Sequence, residues 1–260
     1  MNEFQALLLG LVQGLTEFLP ISSSGHLEIG HVLFGDEGES SLLFDVVLHG
    51  ATVLSTLVIF RKDIFELLKG LFRFKWNDQT QYFAKLIVSS LPIGIVGILF
   101  EKQIGLLFKG NLLCVGYALL FTALLLGFAN YARHRERKIK FADALVIGSA
   151  QMIAVIPGIS RSGSTIATGI ILGNNKNDLA KFSFLMVIIP ILGANLFKLL
   201  SGDFTSQANI EAVPMIVGFV AAFVSGLLAC SWMIKIVKRG KLIYFAIYCA
   251  LIGLIAIFAA

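Results

Sequence analysis

The chain has 260 residues, 57% of them hydrophobic and 14% charged, with a mean hydropathy of +0.86. Soluble domains carry about 25% charged residues, so this composition excludes a soluble globular enzyme and points to a multi-span membrane protein. The net charge of +5 does not imply nucleic acid, because the basic residues sit in the links between apolar runs.

In chain order, the opening MNEFQALLLGLVQGLTEF lacks the basic flank of a cleavable signal peptide and is expected to stay in the mature protein. Run 1–19 stops at Pro20 and flows into a serine-rich turn, followed by a short apolar piece at 26–34. Runs of spanning length follow at 41–60, 84–100 and 111–130, given roughly 17–25 residues per crossing. The pattern then starts again. Run 141–157 stops at Pro157, passes through GISRSGST and leads to a short piece at 166–172. Three more spans are predicted at 181–200, 213–234 and 241–259. The pieces at 26–34 and 166–172 are too short to cross alone, so each closes a re-entrant hairpin.

Charge placement orients this layout. No Lys or Arg occurs in residues 1–60, whereas 61–85 holds six, 131–140 five, 173–181 two and 235–241 four. These four links carry 17 of the 21 basic residues, and the positive-inside rule makes them cytoplasmic. Were 141–157 a full crossing, the basic 235–241 link would fall outside. The predicted fold is therefore an all-α integral membrane protein: six transmembrane helices plus two re-entrant helical hairpins. Each half is a hairpin and three spans, so repeat 1 (1–140) and repeat 2 (141–260) have inverted topology. QGLTEFLPISSSG echoes QMIAVIPGISRSG, and LLFDVV echoes KFSFLMV. The first hairpin enters from outside and the second from the cytoplasm, so their turns can meet.

The chemistry concentrates at those turns. Arg161 lies in PGISRSGST, where an uncompensated charge is costly, whereas Lys198 near a span end can snorkel to the interface. Ser160, Ser162, Ser164 and Thr165 surround Arg161 with hydroxyls, and Gly158 and Gly163 allow close backbone approach. Ser22, Ser23, Ser24 and Gly25 do the same ahead of the first returning half-helix. Two helix N-termini and one guanidinium make a phosphate or diphosphate cradle. Gln13 and Glu17, four apart, share a helix face leading into the serine turn. Beside a diphosphate, Glu17 can hold Mg²⁺ or Ca²⁺, and His26 can act as acid, base or nucleophile. The plainer alternatives are a capping His26 and a Glu17 that is only the counter-ion of Arg161. His31 and His49 read as structural, His134 as solvated, and Cys114, Cys230 and Cys249 as scattered apolar residues without metal or redox spacing.

QGLTEFLPISSSGH and PGISRSGST resemble the two signature motifs of the bacitracin-resistance type of undecaprenyl-diphosphate phosphatase. The likeness extends over essentially the whole chain, including FSFLMVIIP and the closing YFAIY. The resemblance implies a bacterial inner-membrane enzyme that removes the terminal phosphate of undecaprenyl diphosphate, recycling the carrier for peptidoglycan, with a divalent cation (Mg or Ca). It implies catalytic roles for Glu17, Ser23, His26 and Arg161, with Glu17 at the metal. Gln13, Ser22, Ser24, Gly25, Ser160, Ser162 and Thr165 become substrate contacts. Gln13 stands where the family has Glu or Gln, leaving Glu17 the sole carboxylate of that pair. The phosphatidic-acid type of phosphatase also uses SGH and SR elements, but it needs a His beyond the SR, and none follows His134 here. Expected partners are the lipid diphosphate and the bilayer, not nucleic acid; self-association and the choice among Ser23, His26 and water as nucleophile stay open, and the site is expected to face outward. The rival reading is a polyisoprenyl-phosphate or anion transporter, which would have no need of the Glu17–His26 pair beside an arginine.

Overall fold

The computed structural model describes residues 1–35, 39–100, 103–104, 111–132, 135–193, 212–239 and 241–260. Among these residues the chain is helical, with no strand.

Helix α1 (Glu3–Phe18) starts on a capping box in which Asn2 Oδ1 accepts from Gln5 N–H at 2.8 Å and Gln5 returns the bond at 2.9 Å. It ends at Leu19, held extended (ψ 146°) by the following Pro20. After a turn, α2 (Ser23–Phe34) runs back to a left-handed Gly35. Helix α3 (Glu39–Ile59) bends by 74° into α4 (Arg61–Leu71). Helices α5 (Asp78–Leu99) and α6 (Leu112–Tyr131) follow, capped by Asn77 and Asn111. In the second half come α7 (Phe141–Ile153), α8 (Arg161–Ile171), α9 (Lys176–Met186), α10 (Ala212–Arg239) and α11 (Ile243–Ala259). Both returning pieces begin earlier than their apolar stretch, because the serine and arginine turns form the first helical turn.

The two halves keep one interval. Glu3 and Phe141, which open α1 and α7, are 138 positions apart, and so are Ser23 and Arg161, which open α2 and α8. The caps Ser22 and Ser160, and the positive-φ glycines Gly35 and Gly173, keep the same spacing. Packing follows suit: α1 lies along α10, α7 lies along α5, and α6 lies along α11.

By length and apolarity α5, α6 and α10 can each cross a membrane, and the bent α3–α4 pair makes a fourth candidate. Helices α7 and α11 are apolar but shorter, at 13 and 17 residues. The expected 181–200 span is described only to 193, and Lys198, His134 and nearly all of the 201–212 link lie outside the described residues. Large apolar side chains cover the outer faces, among them Ile98, Leu124, Phe128, Leu228 and Phe258. In water such a surface would aggregate; in lipid it is the expected exterior. The interior is organised by Phe18, Phe182, Phe184, Leu119, Ile147 and Ile166, with Phe18 set edge-on to Phe184 at 5.6 Å.

Candidate functional site

Glu17, in the last turn of α1 and 9% exposed, is the hub of the polar interior. Its Oε1 accepts from Arg161 Nη2. Its Oε2 accepts from Ser23 Oγ at 2.5 Å and from Gln13 Nε2 at 3.1 Å. Ser23 opens α2 and Arg161 opens α8, so two helix N-termini converge on one carboxylate. An anion at that point meets two dipole ends and a guanidinium. Arg161 Nη1 also reaches the Ser183 carbonyl at 3.4 Å. Removing either partner of so buried an ion pair costs about 3–5 kcal/mol, because the other charge is left uncompensated.

The turns are held by their serines. Ser22 Oγ accepts from Gly25 N–H at 3.3 Å and Ser160 Oγ accepts from Gly163 N–H at 3.0 Å, each an N-cap. Ser22 does so at φ +70°, a left-handed conformation that costs a non-glycine residue about 1–3 kcal/mol. A Cβ on Gly25 would lie 2.9 Å from Gly158 Cα, so the hairpins touch backbone to backbone. Ser162 Oγ ties the second turn to the first by donating to the Leu19 carbonyl at 3.0 Å. Thr165 is directed inward, to Ser183 Oγ at 2.7 Å and the Arg161 carbonyl at 2.9 Å. Ser24 Oγ is 3.3 Å from Ser22 Oγ and half-buried. Of the expected phosphate contacts, Ser162 and Thr165 are thus committed to holding the turn.

His26 is oriented differently from the sequence expectation. Its Nδ1 donates to the Ser22 carbonyl at 2.7 Å, a group that can only accept, so Nδ1 carries the proton. The basic Nε2 accepts from Tyr248 O–H at 2.9 Å, and the two rings stack at 5.6 Å. His26 therefore faces α11 rather than Glu17. Sequence reasoning also passed over His49, whose Nε2 lies 3.7 Å from Glu17 Oε2. The signal was present: Asp45, His49, Thr52 and Thr56 fall at helical spacing on one face of an apolar span.

Two oxygen donors could hold a cation here, the Glu17 carboxylate and Gln13 Oε1. Gln13 is fully buried and gives its Nε2 to Glu17 and, at 3.4 Å, to Thr52, which leaves Oε1 with no partner. Among the described residues no group of three or more His, Cys, Asp or Glu side chains closes around a metal. A cation would therefore complete its shell with phosphate oxygens and water, as Mg²⁺ commonly does.

An all-helical, multi-pass membrane protein with an acid–arginine pair buried between two serine-capped helix N-termini is the class that fold and site define. The chain belongs to the bacitracin resistance protein BacA family, whose profile matches residues 6–255. It is 56% identical to an undecaprenyl-diphosphatase of Bacteroides fragilis (strain YCH46), over 99% of this chain and 98% of the relative. Identity is 53% to the undecaprenyl-diphosphatase of Christiangramia forsetii, over 100% and 99% of the two chains. It is 36% to that of Methanobrevibacter smithii, over 98% and 96%.

Proposed function

We propose that the chain hydrolyses undecaprenyl diphosphate to undecaprenyl phosphate and inorganic phosphate. This returns the lipid carrier to peptidoglycan synthesis and confers resistance to bacitracin. The observation that carries the reading is the meeting of Ser23 Oγ and the Arg161 guanidinium, each at a helix N-terminus, on the single buried carboxylate of Glu17, in a chain of the BacA family.

In this reading the diphosphate replaces the Glu17 carboxylate as the anion facing Arg161. Ser23 Oγ attacks the terminal phosphorus, the bridging P–O bond breaks, and undecaprenyl phosphate leaves. Glu17, 2.5 Å from that hydroxyl, takes its proton. Water then attacks the serine-bound phosphoryl group, the P–Oγ bond breaks and phosphate leaves, with Glu17 returning its proton to Ser23 Oγ; His26 would take the water's proton only after Tyr248 releases Nε2 and the ring turns from α11. Arg161 and the two N-termini stabilise charge on the transferring group, the largest contribution in such chemistry. A divalent cation held by Glu17 and Gln13 Oε1 would neutralise the diphosphate oxygens.

Six spans and two re-entrant hairpins in inverted repeats frame this site. The constant interval of 138 positions supports the repeat, as does the pairing of α1 with α10 and α7 with α5. The contact at the centre is reciprocal: a Cβ on Gly116 of α6 would meet the Gly253 carbonyl at 2.8 Å, and one on Gly253 of α11 would meet the Gly116 carbonyl at 2.9 Å. Such exchange is what a two-fold axis between α6 and α11 requires. Three basic links share one face, which supports a common cytoplasmic side for 61–85, 131–140 and 173–181. Lys181 pairs with Asp63, Arg137 bonds Asp143 at 2.8 Å and the Leu172 carbonyl at 2.9 Å, and Lys85 sits over Phe141. The inner membrane is the expected location, with the catalytic turns facing outward.

Broken helices in inverted repeats also occur in transporters, so lipid translocation is the competing reading. Detergent-purified protein given a polyprenyl diphosphate separates them. Release of inorganic phosphate is expected; no release, with labelled lipid still crossing reconstituted vesicles, would replace hydrolysis by transport.

A further inference from the structure

We infer that His49 is a ligand of the divalent cation, completing with Glu17 and Gln13 a three-armed site on α1 and α3. The inference rests on the reading above that a cation binds at Glu17.

The tautomer of His49 is fixed by its backbone. Nδ1 lies 2.8 Å from the Asp45 carbonyl, which only accepts, so Nδ1 carries a hydrogen and Nε2 is the nitrogen left to bind a cation. Nε2 lies 3.7 Å from Glu17 Oε2. The separation is too long for a hydrogen bond between them, and Glu17 already has Arg161 as its counter-ion. The arrangement is favourable with positive charge at this point, and the spacing, longer than a hydrogen bond, leaves room for a cation between the two atoms. Bonds of about 2.1–2.4 Å put neighbouring ligands of one cation about 3.0–3.9 Å apart, which brackets the observed spacing.

The third arm is the orphaned Gln13 Oε1, fully buried yet without a partner. Turning that amide over brings the oxygen to the Glu17 side, where Nε2 now sits. An imidazole that donates its other nitrogen to a backbone carbonyl is the usual outer-shell arrangement of a metal-bound histidine. The same Asp45 accepts from or pairs with His31 at 3.0 Å through its side chain, which stiffens the segment that carries the carbonyl. The His49 side chain is 30% exposed, so the protein interior does not seal it off. Mixed N,O ligation also sets a preference: an imidazole arm favours Mn²⁺ over Mg²⁺ or Ca²⁺, which take oxygen ligands.

Full-length protein purified in detergent, stripped of metal and titrated with Mn²⁺, tests this by pulsed electron paramagnetic resonance. Bound Mn²⁺ is expected to show nitrogen modulation from one imidazole, altered when the protein carries ¹⁵N-histidine, a readout that needs no substitution. His49→Gln is expected to lose the modulation and bind Mn²⁺ at least about tenfold more weakly. His49→Asp is expected to bind without any nitrogen signal. Modulation that survives in His49→Gln, or Mn²⁺ bound to the native protein with no nitrogen coupling, would overturn the inference while leaving hydrolysis untouched. Failure of the native protein to bind Mn²⁺ would overturn it together with the cation at Glu17. Phosphate release in excess chelator then reports on hydrolysis separately.

Discussion

The two hairpin turns keep a serine cap at the same interval but not the same backbone, with Ser22 at φ +70° and Ser160 at φ −69°, and their side chains differ in chemistry. At equivalent positions the first carries Glu17, Ser23 and His26, and the second carries Val155, Arg161 and Ser164. Both are capped by a serine, Ser22 or Ser160, and both open a half-helix of similar length, 12 and 11 residues. In the proposed reaction the first holds the groups that take and move protons, and the second supplies the fixed positive charge. Glu17 and Arg161, one from each, close the interface between them. In the proposed reading, a repeat supplies two anion-attracting helix ends, and the side chains of the first make it the reactive one. A division of this kind explains why neither motif alone could be a site.

Disabling the charge half should have the largest effect. Arg161→Lys keeps the charge but loses the planar fork, so kcat/KM is expected to fall by about 2–4 kcal/mol, roughly 30- to 1,000-fold. Glu17→Ala should nearly abolish phosphate release, since Ser23 then loses its proton acceptor. Turnover on purified protein, with thermal melts alongside, checks both. Near-native rates for Arg161→Lys, with Arg161→Ala misfolded, would reduce the arginine to a counter-ion.

Separating the halves should come next. Gly25→Ala puts a methyl 2.9 Å from Gly158 Cα and 3.3 Å from Gly158 N, main-chain atoms with no flexible end to swing away. We expect a loss of about 1–3 kcal/mol in stability and a matching fall in turnover, as overpacking of a tight contact generally gives. Unchanged melting and activity would mean that the turns are not locked together.

Much of this was legible in the sequence. The broken helices followed from Pro20 and Pro157, and the site from a charge that had no interface to reach, Arg161. What was hidden depended on distance. His26 was placed beside Glu17 by proximity in the chain, but its partner is Tyr248, 222 residues away on α11. His49 belongs to another helix and meets Glu17 only through packing of α1 against α3. Nor did the sequence show that Ser162 and Thr165 bond carbonyls and a neighbouring hydroxyl, as a buried turn that must satisfy its own polar groups requires.

The Tyr248 contact sharpens the comparison from the reactive side. Tyr248→Phe keeps the stacked ring and removes only the hydroxyl on His26 Nε2. One neutral hydrogen bond is worth about 0.5–1.5 kcal/mol, so kcat should change by roughly two- to tenfold while KM stays near its native value. A shift in KM alone, with kcat intact, would assign the tyrosine to lipid contact instead.

The smallest effect is expected where the two halves have diverged most quietly. Gln13 and Gln151 stand at the same interval of 138 positions, and both are fully buried. Gln13 gives its Nε2 to Glu17, but neither Nε2 nor Oε1 of Gln151 has a partner, for its half has Val155 where the other has the acid. A buried amide without hydrogen bonds costs about 1–3 kcal/mol per unsatisfied group, and an apolar side chain of similar size escapes that cost. Gln151→Leu should therefore raise the melting temperature and leave phosphate release unchanged. Gln13→Leu, the same substitution 138 positions earlier, should lower turnover, because it removes a donor to Glu17 and the unpartnered oxygen beside it that would meet a cation. The pair is read by running melts and turnover on both variants side by side. Should Gln151→Leu lose activity as Gln13→Leu does, the second turn is not a chemically silent scaffold, and the division of labour between the halves would have to be redrawn around a polar contact at Gln151.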